Sequence, residues 1–173
     1  MAKKLEHLHL EIAHFENFKH YLDSYENLCQ YTLRNLLQSG LIEVSTSFEQ
    51  ALSSVSGFKV IGADACDLAD GSDAKLSTVR VHSKGKSYSA PVAGIKGKTG
   101  ALRIQIYERR RGKFYYFVIP YWAHTMVGNK SNIEIPFNLN GKPKRHYIPK
   151  NKLPNWWNFE VNNFRTLALL RRV

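Results

Sequence analysis

Four aspartates fall within ten positions of this chain: Asp64, Asp67, Asp70 and Asp73, in the segment GADACDLADGSDAKLST from Gly62 to Thr78. Carboxylates gathered so closely repel one another unless each is solvated or a cation neutralises them, and their oxygens suit a hard divalent ion, Mg²⁺ first and Mn²⁺ as its substitute. Lys75 follows two positions after Asp73. Residues two apart on a strand face the same side, so the two side chains project together, with Ser77 next in the row. Asp64, at the end of the preceding strand, meets them across a hairpin; Asp67 takes that place if the turn is tighter. Two carboxylates on a cation beside an ammonium are what phosphodiester hydrolysis requires. The cation polarises the phosphate and acidifies an attacking water, while the ammonium positions that water or offsets charge on the phosphorane. The competing reading is a polar turn of solvated aspartates. An EF-hand loop does not fit, because no glutamate stands at its closing position.

The segment resembles the PD-(D/E)XK nucleases, the superfamily that includes most type II restriction enzymes, mismatch-repair nickases and phage resolvases. Its signature is an acid at a strand end, then acid-x-lysine on the next strand, after an N-terminal helix. The resemblance implies Asp64 as first acid, Asp73 as second and Lys75 as the lysine, with Asp64 and Asp73 holding Mg²⁺. Some members add a carboxylate from the first helix, a place that Glu26 would take. Ala63 stands where the family has proline, and Asp73 replaces the commoner glutamate. The resemblance covers Asp64 to Lys75 alone. It implies a Mg²⁺-dependent endonuclease of restriction type that cuts a short site in double-stranded DNA, working as a two-fold homodimer. A phage or repair nuclease acting on branched or damaged DNA has the same signature.

The elements that must position these residues are read from periodicity. Leu8, Ile12, Phe15, Leu22, Tyr25, Cys29, Leu33 and Leu36 recur at helical steps, which predicts a long amphipathic helix within residues 1–40. Residues 41–56 fit a short strand or a second helix. Phe58, Val60 and Ile61 begin a strand, and AKLSTVRVHS alternates as its hairpin partner. Residues 84–100, rich in Gly, Ser and Lys, read as a basic loop. ALRIQIYE and KFYYFVIPYW flank RRRG and form an antiparallel hairpin. Residues 126–173 are basic, aromatic and irregular until a closing helix. The expectation is one α+β domain: an N-terminal helix, a central mixed sheet of restriction-endonuclease-like type over 57–125, and a loop-rich basic C-terminal half.

Charge points to the partner. The chain has 173 residues and a net charge of +11, yet residues 1–56 are acidic by three. After Asp73 the carboxylates are Glu108, Glu134 and Glu160 alone, whereas Lys and Arg continue throughout. Such an excess favours a polyanion through counterion release. Lys84, Lys86, Lys96, Lys98, Arg109, Arg110 and Arg111, with Lys144 and Arg145 further on, are the candidate contacts to a nucleic-acid backbone. A non-catalytic nucleic-acid-binding protein is therefore the second reading. Cys29 and Cys66 lack C-x-x-C spacing, and no run of about 18 apolar residues occurs, so a reducing, cytoplasmic setting without a membrane span is expected. There is no P-loop and no G-x-S-x-G elbow. His124, His146 and Asn163 lack the strand-turn-helix context of an HNH site.

Overall fold

The computed structural model describes residues 45–170, apart from Ser83, Lys150 and Asn151. The helix expected within residues 1–40, and Glu26 with it, lies outside the described residues.

Residues 41–56 resolve in favour of a helix, α1 (Ser45–Ser56). Phe48, Ala51, Leu52 and Val55 fall on one side of a 3.6-residue repeat, and the first three are buried. Gly57 ends the helix. At φ 77° it enters the left-handed region open to glycine, and its N–H donates to the Ser53 carbonyl at 2.8 Å.

Next comes a two-stranded antiparallel ribbon of β1 (Val60–Ala63) and β2 (Cys66–Leu68). The hairpin partner of β1 is therefore β2 and not the strand that carries Asp73, which corrects the expected pairing. That strand, β3 (Asp73–Thr78), runs parallel to β6 (Leu102–Glu108), with Asp73 opposite Leu102. β6 pairs antiparallel with β7 (Lys113–Ile119) through the predicted RRRG turn, and β7 pairs with the short β9 (Glu160–Val161). The order β3-β6-β7-β9 makes a four-stranded mixed sheet. Every residue of β6 is buried. This central strand is covered on both faces, which is why its sequence reads as an apolar run interrupted by Arg103 and Gln105.

The chain leaves this sheet at Val79 and enters a second, antiparallel one of β4 (Arg80–His82), β5 (Ser87–Ala93) and β8 (Asn132–Phe137). AKLSTVRVHS thus divides between two sheets. The basic loop expected over 84–100 shrinks because Tyr88, Ala90 and Val92 alternate inward on β5, with Ala90 and Val92 fully buried. Small residues between them dilute the alternation in the sequence.

Two apolar clusters hold these layers. Phe48, Leu52, Leu68, Tyr116 and Val118 pack with Phe164 and Leu167 of α3 (Phe164–Leu169) on one side of the mixed sheet. Ile104, Ile106 and Phe117 pack with Val92, Ile133 and Ile135 between the two sheets. A four-residue helix, α2 (Tyr121–His124), follows β7. The described residues form an α+β arrangement with a mixed sheet, and none of their helices is long and apolar enough to cross a membrane.

Candidate active site

Asp73 opens β3 and is 1% exposed, a free carboxylate's least favourable setting. Its place is fixed from both sides. The Asp73 N–H donates to the Ala101 carbonyl at 2.9 Å, and the preceding turn is closed by Asp67 and Leu68 N–H groups, both 3.0 Å from the Ser72 carbonyl. The period-two rule then brings Lys75 alongside, with its Nζ 2.7 Å from Asp73 Oδ2. Ser77, third in the row, donates its hydroxyl to the Pro91 carbonyl of β5 and so locks that face of β3 onto the second sheet. A side chain at Gly94 would come within 3.3 Å of Lys75 Nζ, which makes the end of β5 a wall of the same pocket.

The other oxygen of Asp73 meets an unexpected partner. Lys98, from the loop after β5, places its Nζ 2.6 Å from Asp73 Oδ1 and donates to the Asp64 carbonyl oxygen at 2.8 Å. Each buried oxygen of Asp73 thus faces one ammonium group, Lys75 at Oδ2 and Lys98 at Oδ1, and these charge pairs offset the cost of burying the carboxylate. Burial works against the charge of Lys98, but the close contact with Asp73, together with the charges of Asp67 and Cys66, holds its ammonium above the ordinary lysine range.

Asp67, rather than Asp64, is the carboxylate that joins Asp73. Its Oδ2 accepts the Ala74 N–H at 2.7 Å. Burial raises its affinity for a proton; the Ala74 bond and Lys98 oppose this, while contact with Asp73 adds to it, and the net direction is upward. Asp64 is exposed and offers the site its backbone carbonyl. A third acid arrives from α1. Burial first, then the negative charges of Asp67 and Asp73, push the Glu49 carboxyl up, and Lys75 partly offsets them. Glu49 follows Phe48 and lies three residues before Leu52, on the margin of the buried stripe, so the helix that packs on the sheet also delivers an acid to it. That signal was present in the sequence once 41–56 is read as a helix.

Compared with protein-family models, with curated proteins and with solved structures, the chain matches none. The chemistry of the site rests on its own residues.

Among the described residues, no three His, Cys, Asp or Glu side chains already converge at coordinating spacing. The donor set still suits a hard divalent cation: Asp73, Asp67 and Glu49 are oxygen ligands close enough to act on one another, and burial first, then the neighbouring negative charges, makes Asp67 and Glu49 bind protons more readily than usual. Asp73, Asp67 and Glu49 are the residues that would hold it. A cation would offset both the burial of these carboxylates and their mutual repulsion.

The remaining candidates are dispersed. Lys84 and Lys86 are exposed at the β4–β5 turn, and Lys96 is exposed beyond β5. Glu108 organises the β6–β7 turn, where it accepts from Arg110 N–H and Nε at 3.3 and 3.0 Å and from Arg111 N–H at 2.8 Å. Arg110 also donates to the Leu139 carbonyl and lies over the Tyr88 ring, and Arg111 donates to the Tyr115 hydroxyl. Arg109 is exposed at that turn. Arg145 pairs with Glu160 at 3.7 Å, and Lys144 stands over Tyr147. The histidine arrangement does not assemble: His124 is buried with Nε2 2.8 Å from the Gly100 carbonyl, His146 is exposed, and Asn163 caps α3.

Proposed function

We propose that this chain is a Mg²⁺-dependent endonuclease that hydrolyses phosphodiester bonds in DNA, of restriction type and acting as a homodimer on double-stranded DNA. The observation that carries this reading is Asp73, a buried carboxylate flanked by Asp67 and Glu49 and contacted by the ammonium of Lys75. A divalent cation bound there would supply Lewis-acid polarisation of the phosphate and an acidified water.

The chain's residues have separable tasks. Asp73 and Asp67 would hold the cation, with Glu49 adding a carboxylate from the helix side. Lys75, held by Asp73 on the same strand face, orients the attacking water and neutralises charge that grows on the phosphate oxygens. Lys98 supplies the positive charge at Asp73 Oδ1; with a cation bound there, its ammonium would be available to a phosphate.

One observation favours the second reading, a non-catalytic nucleic-acid-binding protein: two ammonium groups already neutralise Asp73. Incubation of supercoiled plasmid with the purified protein in Mg²⁺ and in EDTA separates the two. The nuclease reading expects nicked or linear products in Mg²⁺ alone. DNA binding without cutting in Mg²⁺ or Mn²⁺ supports the second reading and overturns the first.

A further inference from the structure

Beside the acid pocket, and sharing Lys98 with it, lies an open cleft of about 360 Å³ between the loop after β5 and the residues that follow α2. This is the volume range of small-ligand sites. Lys96, Lys98 and Lys130 line it together with Asn129, and no carboxylate among the described residues does. Its field is therefore that of an anion site. One wall is aromatic. Tyr121, 47% exposed, meets the cleft, and its ring packs edge-on against His124, which is buried and tied to the Gly100 carbonyl, so the ring is braced from behind. Gly97 and Gly128 also border the cleft, and none of the described residues stands within 4 Å of where a side chain on either would begin.

The lysines Lys96 and Lys130, an amide and a braced aromatic face are the parts that recognise a nucleotide: phosphates on the ammonium groups and a base stacked on the ring. A base held in a paired duplex cannot offer its face to Tyr121. We infer that the cleft receives one unpaired nucleotide, turned out of the helix beside the phosphate to be cut, with Lys96 and Lys130 on its flanking phosphates and Tyr121 under its base. This rests on the nuclease reading for the identity of the neighbouring pocket and specifies the substrate of that pocket. Lys98 then links the two sites, because a phosphate that draws on its ammonium leaves Asp73 Oδ1 to a cation.

The test is fluorescence anisotropy of labelled duplexes with the full chain in EDTA, where cutting cannot intervene. Three duplexes are compared: fully paired, with a single-nucleotide bulge, and with an abasic bulge. The bulged duplex should bind about tenfold more tightly than the paired one. Tyr121→Ala should abolish that preference while leaving binding to the abasic bulge unchanged. Lys96→Glu with Lys130→Glu should weaken the bulged duplex at least about tenfold, steeply dependent on salt. All these residues are exposed, and an unchanged thermal midpoint verifies folding. Equal binding of bulged and paired duplexes, a preference that survives Tyr121→Ala, or displacement of the DNA by poly-glutamate as readily as by unlabelled bulged duplex overturns the inference. Loss of the preference with Mg²⁺-dependent cutting intact removes the cleft assignment alone. A preserved preference without cutting removes the nuclease reading alone.

Discussion

Lys98 Nζ lies 2.6 Å from Asp73 Oδ1 and 2.8 Å from the Asp64 carbonyl oxygen, so one side chain from the loop after β5 ties together both ends of the acidic segment. It is a cation already seated where negative charge is densest. Under the metal-dependent reading, a divalent ion at Asp73 would have to displace it.

Lys98→Met should therefore raise the affinity of the acid pocket for Mn²⁺, by about tenfold if displacement of the ammonium costs about 1.4 kcal/mol. Isothermal titration or the paramagnetic signal of free Mn²⁺ reads this directly. Cutting should fall in the same variant, because the phosphate loses its ammonium partner. An unchanged Mn²⁺ affinity would mean that Lys98 and the metal do not share a place.

Glu49 provides the next prediction. If its charge helps to hold the cation, Glu49→Gln should weaken Mn²⁺ binding and slow cleavage, about 10- to 100-fold, with the fold intact since the residue is half-buried at a helix surface. Asp73→Asn should remove cleavage altogether. Loss of cleavage in both variants with Mn²⁺ affinity unaltered would place the acids outside the metal site.

What the sequence disclosed and what it concealed divide along physical lines. The Asp73-x-Lys75 row was legible because strand geometry alone sets which side chains share a face. The β6–β7 hairpin was legible because turn residues separate two apolar runs. The choice of Asp67 over Asp64 was not, since it depends on β1 pairing with β2 in a tight local ribbon, a choice of partner that short apolar runs leave open. The role of Lys98 is hidden for a different reason: a lysine in a Gly-rich stretch looks the same in sequence whether it faces solvent and a nucleic-acid backbone or folds back onto Asp73. The turn arginines show the reverse ambiguity. Arg110 and Arg111 bring charge to the surface by composition, yet both are engaged by Glu108 and its surroundings.

Close backbone contact predicts a stability effect at Gly100. A side chain there would begin 1.8 Å from the Gly71 carbonyl oxygen, in the turn that leads into Asp73, and the Gly100 carbonyl itself faces His124. The atoms that the side chain would meet, in Gly71 and Ser72, are all backbone. Gly100→Ala should cost about 3 kcal/mol or more, at the severe end of overpacking, and should shift the urea midpoint without the large change in slope that a different unfolded state would bring. Cutting should fail in parallel, because the same displacement moves Asp73. A variant as stable as the parent would show that the turn and the β6 entry do not pack this closely.

Asp70 and Arg103 give a pH dependence whose sign is set by their contacts. Arg103 is fully buried; its Nη2 lies 3.0 Å from Asp70 Oδ2, its Nε donates to Ser72 Oγ at 3.1 Å, and it also donates to the Leu167 and Leu170 carbonyls. One guanidinium thus joins the turn before Asp73 to the C-terminal end of α3. Burial opposes the Asp70 charge, but the Ser72 hydrogen bonds and Arg103 outweigh it and hold the carboxyl below the ordinary range. A carboxyl whose folded value is depressed stabilises the native state above its unfolded value, near 3.9, and this contribution is lost as the pH falls through the lower folded value. Asp70→Asn should therefore destabilise the chain at pH 7, by about 3 kcal/mol since Arg103 is left buried beside a neutral group, and the difference from the parent should narrow below about pH 4. Urea unfolding at pH 7 and at pH 3 measures both. A difference of the same size at the two pH values would mean that packing, and not the charge of Asp70, is what the substitution removes.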